Sequence, residues 1–102
     1  MATLVVVYPS AGTKFDRAYY RDSHGPLVHS AWDGLGLQSL HYSFGELGLD
    51  GGAAPFHCVA TLTFASRAEL DAALADSATG PVFADIANFT DATPTAMIGA
   101  ED

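Results

Sequence analysis

The chain has 102 residues, a length that fits one domain (1–102) with a single core. Twelve acidic against four basic residues give a formal charge of -8, which argues against a nucleic-acid partner, because phosphate binding needs a clustered cationic surface. Cys58 is the single cysteine, so no internal disulfide can form; no zinc-type Cys/His spacing occurs, and the opening apolar run of five residues is too short for a signal core or a membrane span. We read from this a cytoplasmic protein.

In chain order, residues 3–8 (Thr-Leu-Val-Val-Val-Tyr) are apolar on both faces, which predicts a central strand, ended by Pro9-Ser10-Ala11-Gly12. Residues 15–32, FDRAYYRDSHGPLVHSAW, predict a helix interrupted by Gly25-Pro26. Phe15, Ala18, Tyr19 and Asp22 recur at helical spacing, and Leu27, Val28, Ala31 and Trp32 resume the pattern. His24 is thereby expected at a corner, where a helix C-terminus favours the imidazolium and burial opposes it. Lys14 just before this segment and Arg17 and Arg21 on it would form either a local basic strip or an ordinary solvated face.

Residues 37–46 alternate as a half-polar edge strand, a glycine-rich reversal follows, and 56–64 alternates with Phe56, Cys58, Ala60, Leu62 and Phe64 on one face. Ser66 with Glu69 three positions on marks the start of a second helix. Pro81 opens a short third one, and 93–99, with Pro94, reads as a strand at an edge or an end. The order β-α-β-β-α-β is the α+β ferredoxin-like pattern, a four-stranded antiparallel sheet with the first and third strands in the middle.

Two helices cover only one face of such a sheet, yet Val5, Val7 and Val59 make the other face apolar as well. Hiding about 600 Å² per subunit would be worth about 15 kcal/mol before the entropy of association, so a homodimer packed through the sheet face is expected. The alternative is a monomer whose tail or loop covers that face.

The run Phe15-Asp16, Tyr19-Tyr20, His24 and Pro26-Leu27-Val28, with Phe64 and Ser66 and the segment ADIANFTD (84–91), resembles the EthD family. That family is named for ethyl tert-butyl ether degradation and is similar to other dimeric α+β barrel proteins. The resemblance implies a ferredoxin-like subunit that dimerises through its sheet, with a pocket between helices and sheet. Similar barrels include cofactor-free monooxygenases, polyketide cyclases, muconolactone isomerases and haem enzymes, so the fold leaves the reaction open.

His24 is the leading candidate acid/base, because an imidazole exchanges its proton near neutral pH and the resemblance turns it toward the pocket. Its plain alternative is a bond to carbonyls at a broken helix end. Tyr20, four residues earlier, shares its side, for the ligand or for surface packing; Tyr8 ends the central strand and offers a phenol or is a buried tyrosine with a satisfied hydroxyl. Asp85, if turned inward, would orient His24 or bind a substrate hydroxyl, and its more usual role is solvation or capping of a nearby turn. Tyr19 is assigned to the core, and Trp32 and the phenylalanines line either a pocket or plain core. His41 and His57 would meet only if paired opposite each other, and with no third ligand evident no metal site is assigned.

The reading is a protein that binds a hydrophobic small organic molecule with no cofactor and no membrane contact. Acid/base chemistry such as isomerisation, cyclisation or dehydration, in degradation or secondary metabolism, would fall to His24. The alternatives are a non-catalytic accessory protein serving a partner oxygenase, and a cofactor-free monooxygenase.

Overall fold

A computed structural model describes residues 1–100. It runs β1 (Ala2–Pro9), α1 (Arg17–Tyr19), a π-helical turn (Tyr20–His24), α2 (Gly25–Trp32), a 3₁₀ turn (Asp33–Leu35), β2 (Leu37–Phe44) and β3 (Phe56–Phe64). After these come α3 (Arg67–Ala75), α4 (Thr79–Ala84), a second 3₁₀ turn (Asp85–Asn88) and β4 (Thr95–Ala100). The four strands pair antiparallel in the order β2-β3-β1-β4, which is the ferredoxin-like α+β arrangement, with the two apolar strands central.

Period-two alternation sets the two faces of the sheet. On β1, Leu4, Val6 and Tyr8 are buried beneath the helices, and their β3 partners Leu62, Ala60 and Cys58 are buried beside them. Val5, Val7 and Val59 point the other way and stay partly exposed. Ser66 Oγ accepts the Glu69 N–H at 3.1 Å and starts α3, while Gly36, at φ +102°, closes the turn after α2 in the left-handed region that glycine enters without a Cβ penalty.

The opening helix departs from expectation in three ways. Its N-cap is Asp16, which accepts the Tyr19 N–H at 3.0 Å, so Phe15 lies outside the helix and bridges to Thr90. Gly25-Pro26 does not break it. Gly25 keeps helical angles (φ -56°, ψ -51°) and its N–H bonds Tyr20 O, five residues back. The wider turn relieves the clash between a proline ring and the carbonyl four residues earlier, and Gly25 has no Cβ to meet that ring. Finally, the buried stripe is Tyr20, His24, Val28 and Trp32, whereas Ala18 and Asp22 are exposed. His24 therefore sits inside a continuous helix, with no free carbonyls of a helix end to bond.

Candidate active site

Between α2, α4 and the inner face of the sheet lies an apolar hollow of about 30 Å³. Leu4, Val6, Val28, Trp32, Leu62 and Val82 supply its walls, and His24, Tyr8 and Tyr20 its polar groups. Trp32 adds no donor, because its Nε1–H is given to Thr79 Oγ1 at 2.9 Å. Half-exposed Phe83 stands between the hollow and solvent. One water needs about 10–15 Å³, so the space holds a water or two, and an organic ligand must displace a side chain to enter. Phe83 is the lining aromatic with room to swing, at 46% exposure.

His24 is 4% exposed, with its ring 4.7 Å from that of Phe89 and 5.2 Å from that of Tyr20. Its Nδ1 lies 2.9 Å from Oδ2 of Asp85, a residue that does not line the hollow. The other carboxylate oxygen, Oδ1, accepts the Tyr19 hydroxyl at 2.7 Å and Asn88 Nδ2 at 2.9 Å. Contacts far from the chemistry set this register. Asp16 N–H donates to Phe89 O at 2.7 Å, Thr90 Oγ1 donates to Lys14 O, and Lys14 N–H donates to Asp91 Oδ1 at 2.7 Å. The start of the first helix and the segment carrying Asp85 are thus laced together.

Burial pushes the His24 imidazole below its ordinary value, outweighing the pull of Asp85. Burial would raise the Asp85 carboxyl, but donors from Asn88, Tyr19 and His24 together hold it below the usual carboxylate range. At neutral pH the pair is then an ionised carboxylate and a neutral imidazole. The carboxylate can only accept, so the ring proton sits on Nδ1 and the lone pair on Nε2, the nitrogen left for the hollow. Burial, and secondarily the neighbouring Cys58, push the Tyr8 and Tyr20 phenols well up, so both stay protonated. Burial also raises the Cys58 thiol to about 12, which leaves it a small apolar filler.

Of the residues singled out from sequence, His24, Tyr20 and Tyr8 line one hollow, and Asp85 joins them through His24. Tyr20 belongs to the core at 2% exposure, the place expected for Tyr19, and Tyr19 instead reaches Asp85. The π turn causes the exchange. Residues five apart on an α-helix point about 140° apart, and the wider turn narrows that angle until Tyr19 and His24 address one carboxylate. A strict 3.6-residue period hides this, and Asn88 gives no signal beyond its spacing from Asp85.

Other groups do not converge. His41 is paired with Thr61, whereas His57 stacks on Phe15 and lies 2.8 Å from Thr13 Oγ1, so the two histidines are not opposite. Among the described residues no group of three or more His, Cys, Asp or Glu could hold a metal. Arg17 is spent on Glu46 and the Gly45 carbonyl, and Arg21 on Asp22, so the basic strip is a solvated face. His29 pairs on the surface with Asp33. No described helix is long and apolar enough to cross a membrane.

Comparison with solved structures supports this architecture over the whole chain. An EthD-like protein from Ralstonia eutropha JMP134 is 29% identical, with a TM-score of 0.84 over 96% of this chain and 88% of its own. An ethyl tert-butyl ether degradation (EthD) family protein from Bacillus halodurans C-125 is 19% identical, with a TM-score of 0.74 over 100% of this chain and 99% of its own. An antibiotic biosynthesis monooxygenase shares the fold at 14% identity and a TM-score of 0.52, covering 100% of this chain and 99% of its own. Comparison with curated proteins gave no match. The EthD domain model matches residues 9–93, which include the whole first helix, Asp85 and the segment that fastens them together, and the chain belongs to the EthD family.

Proposed function

We propose that this EthD-family chain binds a hydrophobic small organic molecule in the hollow beneath the first helix and moves a proton on it at His24 Nε2, without a cofactor. The observation that carries this reading is the 2.9 Å contact of His24 Nδ1 with Asp85, which commits one ring nitrogen to the carboxylate and leaves the other as a base facing an apolar space. In such a space Nε2 takes a proton from a carbon or oxygen of the bound molecule. It returns that proton at another atom in an isomerisation or cyclisation, or to a leaving hydroxyl in a dehydration. The imidazolium formed meanwhile is stabilised by the Asp85 carboxylate, and proton transfer by a base so positioned is worth roughly 10²–10⁴ in rate. Tyr8 and Tyr20, both neutral, are placed to donate to a developing oxyanion.

A second feature of the proposal is assembly. All helices lie on one face of the sheet, and Val5, Val7 and Val59 leave the other partly exposed beside Met97, at 61%. A homodimer packed through this face would hide them. The second reading is a non-catalytic binding protein that hands its ligand to a partner oxygenase, for which the apolar lining of the hollow serves equally well.

Replacing His24 with Gln separates the two. The enzymic reading predicts that a bound ligand is retained while turnover falls at least a hundredfold. Turnover that survives the substitution would overturn the base, and a protein that binds its ligand with no turnover before or after would establish the carrier.

A further inference from the structure

The Asp85 carboxylate has more partners than an imidazole alone requires. Tyr19 and Asn88 both donate to Oδ1, His24 faces Oδ2, and the side chain is 11% exposed. Tyr19 is held for this task at both ends of its ring. The phenyl stacks on Phe89 (6.2 Å, 24°), Phe89 in turn supports the His24 ring, and the hydroxyl ends 2.7 Å from the carboxylate. The π turn that accommodates Pro26 also brings Tyr19 and His24 to one carboxylate. π turns are rare and are frequent at functional sites.

We propose that Tyr19 is a positioning residue of the His24 site: its hydroxyl locks the Asp85 rotamer and draws charge from the carboxylate, fixing which nitrogen of His24 carries the proton and how basic the ring is. This rests on the proposed role of His24 as the base. A carboxylate that shares its charge with a phenol attracts an imidazolium less strongly than one that does not. Burial is the main reason His24 is neutral, and the hydroxyl adds to it by weakening the carboxylate's pull while holding the carboxylate in line. Other ionisable groups around the ring do not compete. Tyr20 on the same turn and Tyr8 on β1 stay protonated, Tyr42 lies beyond Tyr20, and Phe89 on the opposite side carries no charge.

The test needs no ligand. In ¹⁵N-labelled protein the ring nitrogens of His24, assigned by their loss in His24→Gln, are titrated in the parent chain and in Tyr19→Phe. The parent is expected to show Nδ1 protonated and Nε2 bare near neutral pH. Tyr19→Phe is expected to raise the His24 midpoint by roughly half a pH unit and to mix the second tautomer into the spectrum. Asn88→Ala, at an exposed residue, removes the other Oδ1 donor and is expected to move the midpoint the same way by less. If Tyr19→Phe folds and leaves midpoint and tautomer unchanged, Tyr19 is only packing and the proposal fails. Should Tyr19→Phe fail to fold, an unmoved midpoint in Asn88→Ala would overturn it, because Oδ1 donors would then not set the ring. Failure of the catalytic reading looks different: turnover would survive His24→Gln while these shifts stand.

Discussion

The two faces of the sheet are built from alternate residues of the same strands, and they meet opposite fates. Beneath the helices Leu4, Val6, Tyr8, Cys58, Ala60 and Leu62 are all under 8% exposed, and the polar groups among them are either bonded or kept neutral by burial. One residue along, Val5, Val7 and Val59 have no covering layer within the chain. The difference is one of cover: one face of the sheet is closed by the chain's own helices, and the other has no covering layer within the chain. The proposed site lies on the covered face, and under the proposed assembly the open face is where a second copy would settle.

The comparison can be broken most severely from the open side. Val7→Asp places a carboxylate at the centre of that face, where an unpaired buried charge costs several kcal/mol, so association is expected to weaken by roughly a hundredfold or more. Sedimentation equilibrium should find the parent at twice the 10.6 kDa chain mass and the variant at the chain mass. A parent that sediments as a single chain would remove the dimer from the account.

On the covered side, Trp32 is 1% exposed, packs edge-on to Phe64 at 5.9 Å and donates to Thr79. Trp32→Ala should destabilise the fold by about 3–5 kcal/mol in urea denaturation, and a loss under 1 kcal/mol would mean the wall collapses freely around the gap. A smaller effect comes from pH. The folded His24 has a lowered pKa, so below the ordinary imidazole value of about 6.5 the unfolded chain takes up a proton that the folded chain resists. Stability from this group is complete above that pH and is lost as pH falls toward the folded pKa. Melting temperature should accordingly drop between about pH 7 and 5, with a shallower slope in His24→Gln; equal slopes would show that His24 does not titrate as described.

How much of this was legible in the sequence differs between strands and site. The β-branched run of β1, the alternation of β3 and the Ser66 cap each express a local rule, so sheet order and two-faced burial follow from them. The first helix obeys a local rule only as far as Tyr19. Gly25-Pro26 reads as a break, yet the chain absorbs the proline by widening one turn, a choice that spacing at 3.6 residues does not encode. That single turn exchanges the roles of Tyr19 and Tyr20. Asp85 was visible as a carboxylate between apolar neighbours, but its direction depends on contacts between residues 14–16 and 89–91, more than seventy positions apart. Its meeting with His24 is a tertiary event.

The most direct test of the central claim is the protonation of His24 in the unliganded protein, followed by ¹⁵N NMR across pH. The account predicts a midpoint below about 6.5, with the neutral ring carrying its proton on Nδ1 toward Asp85. A midpoint above that value, or a neutral ring protonated on Nε2, would contradict it.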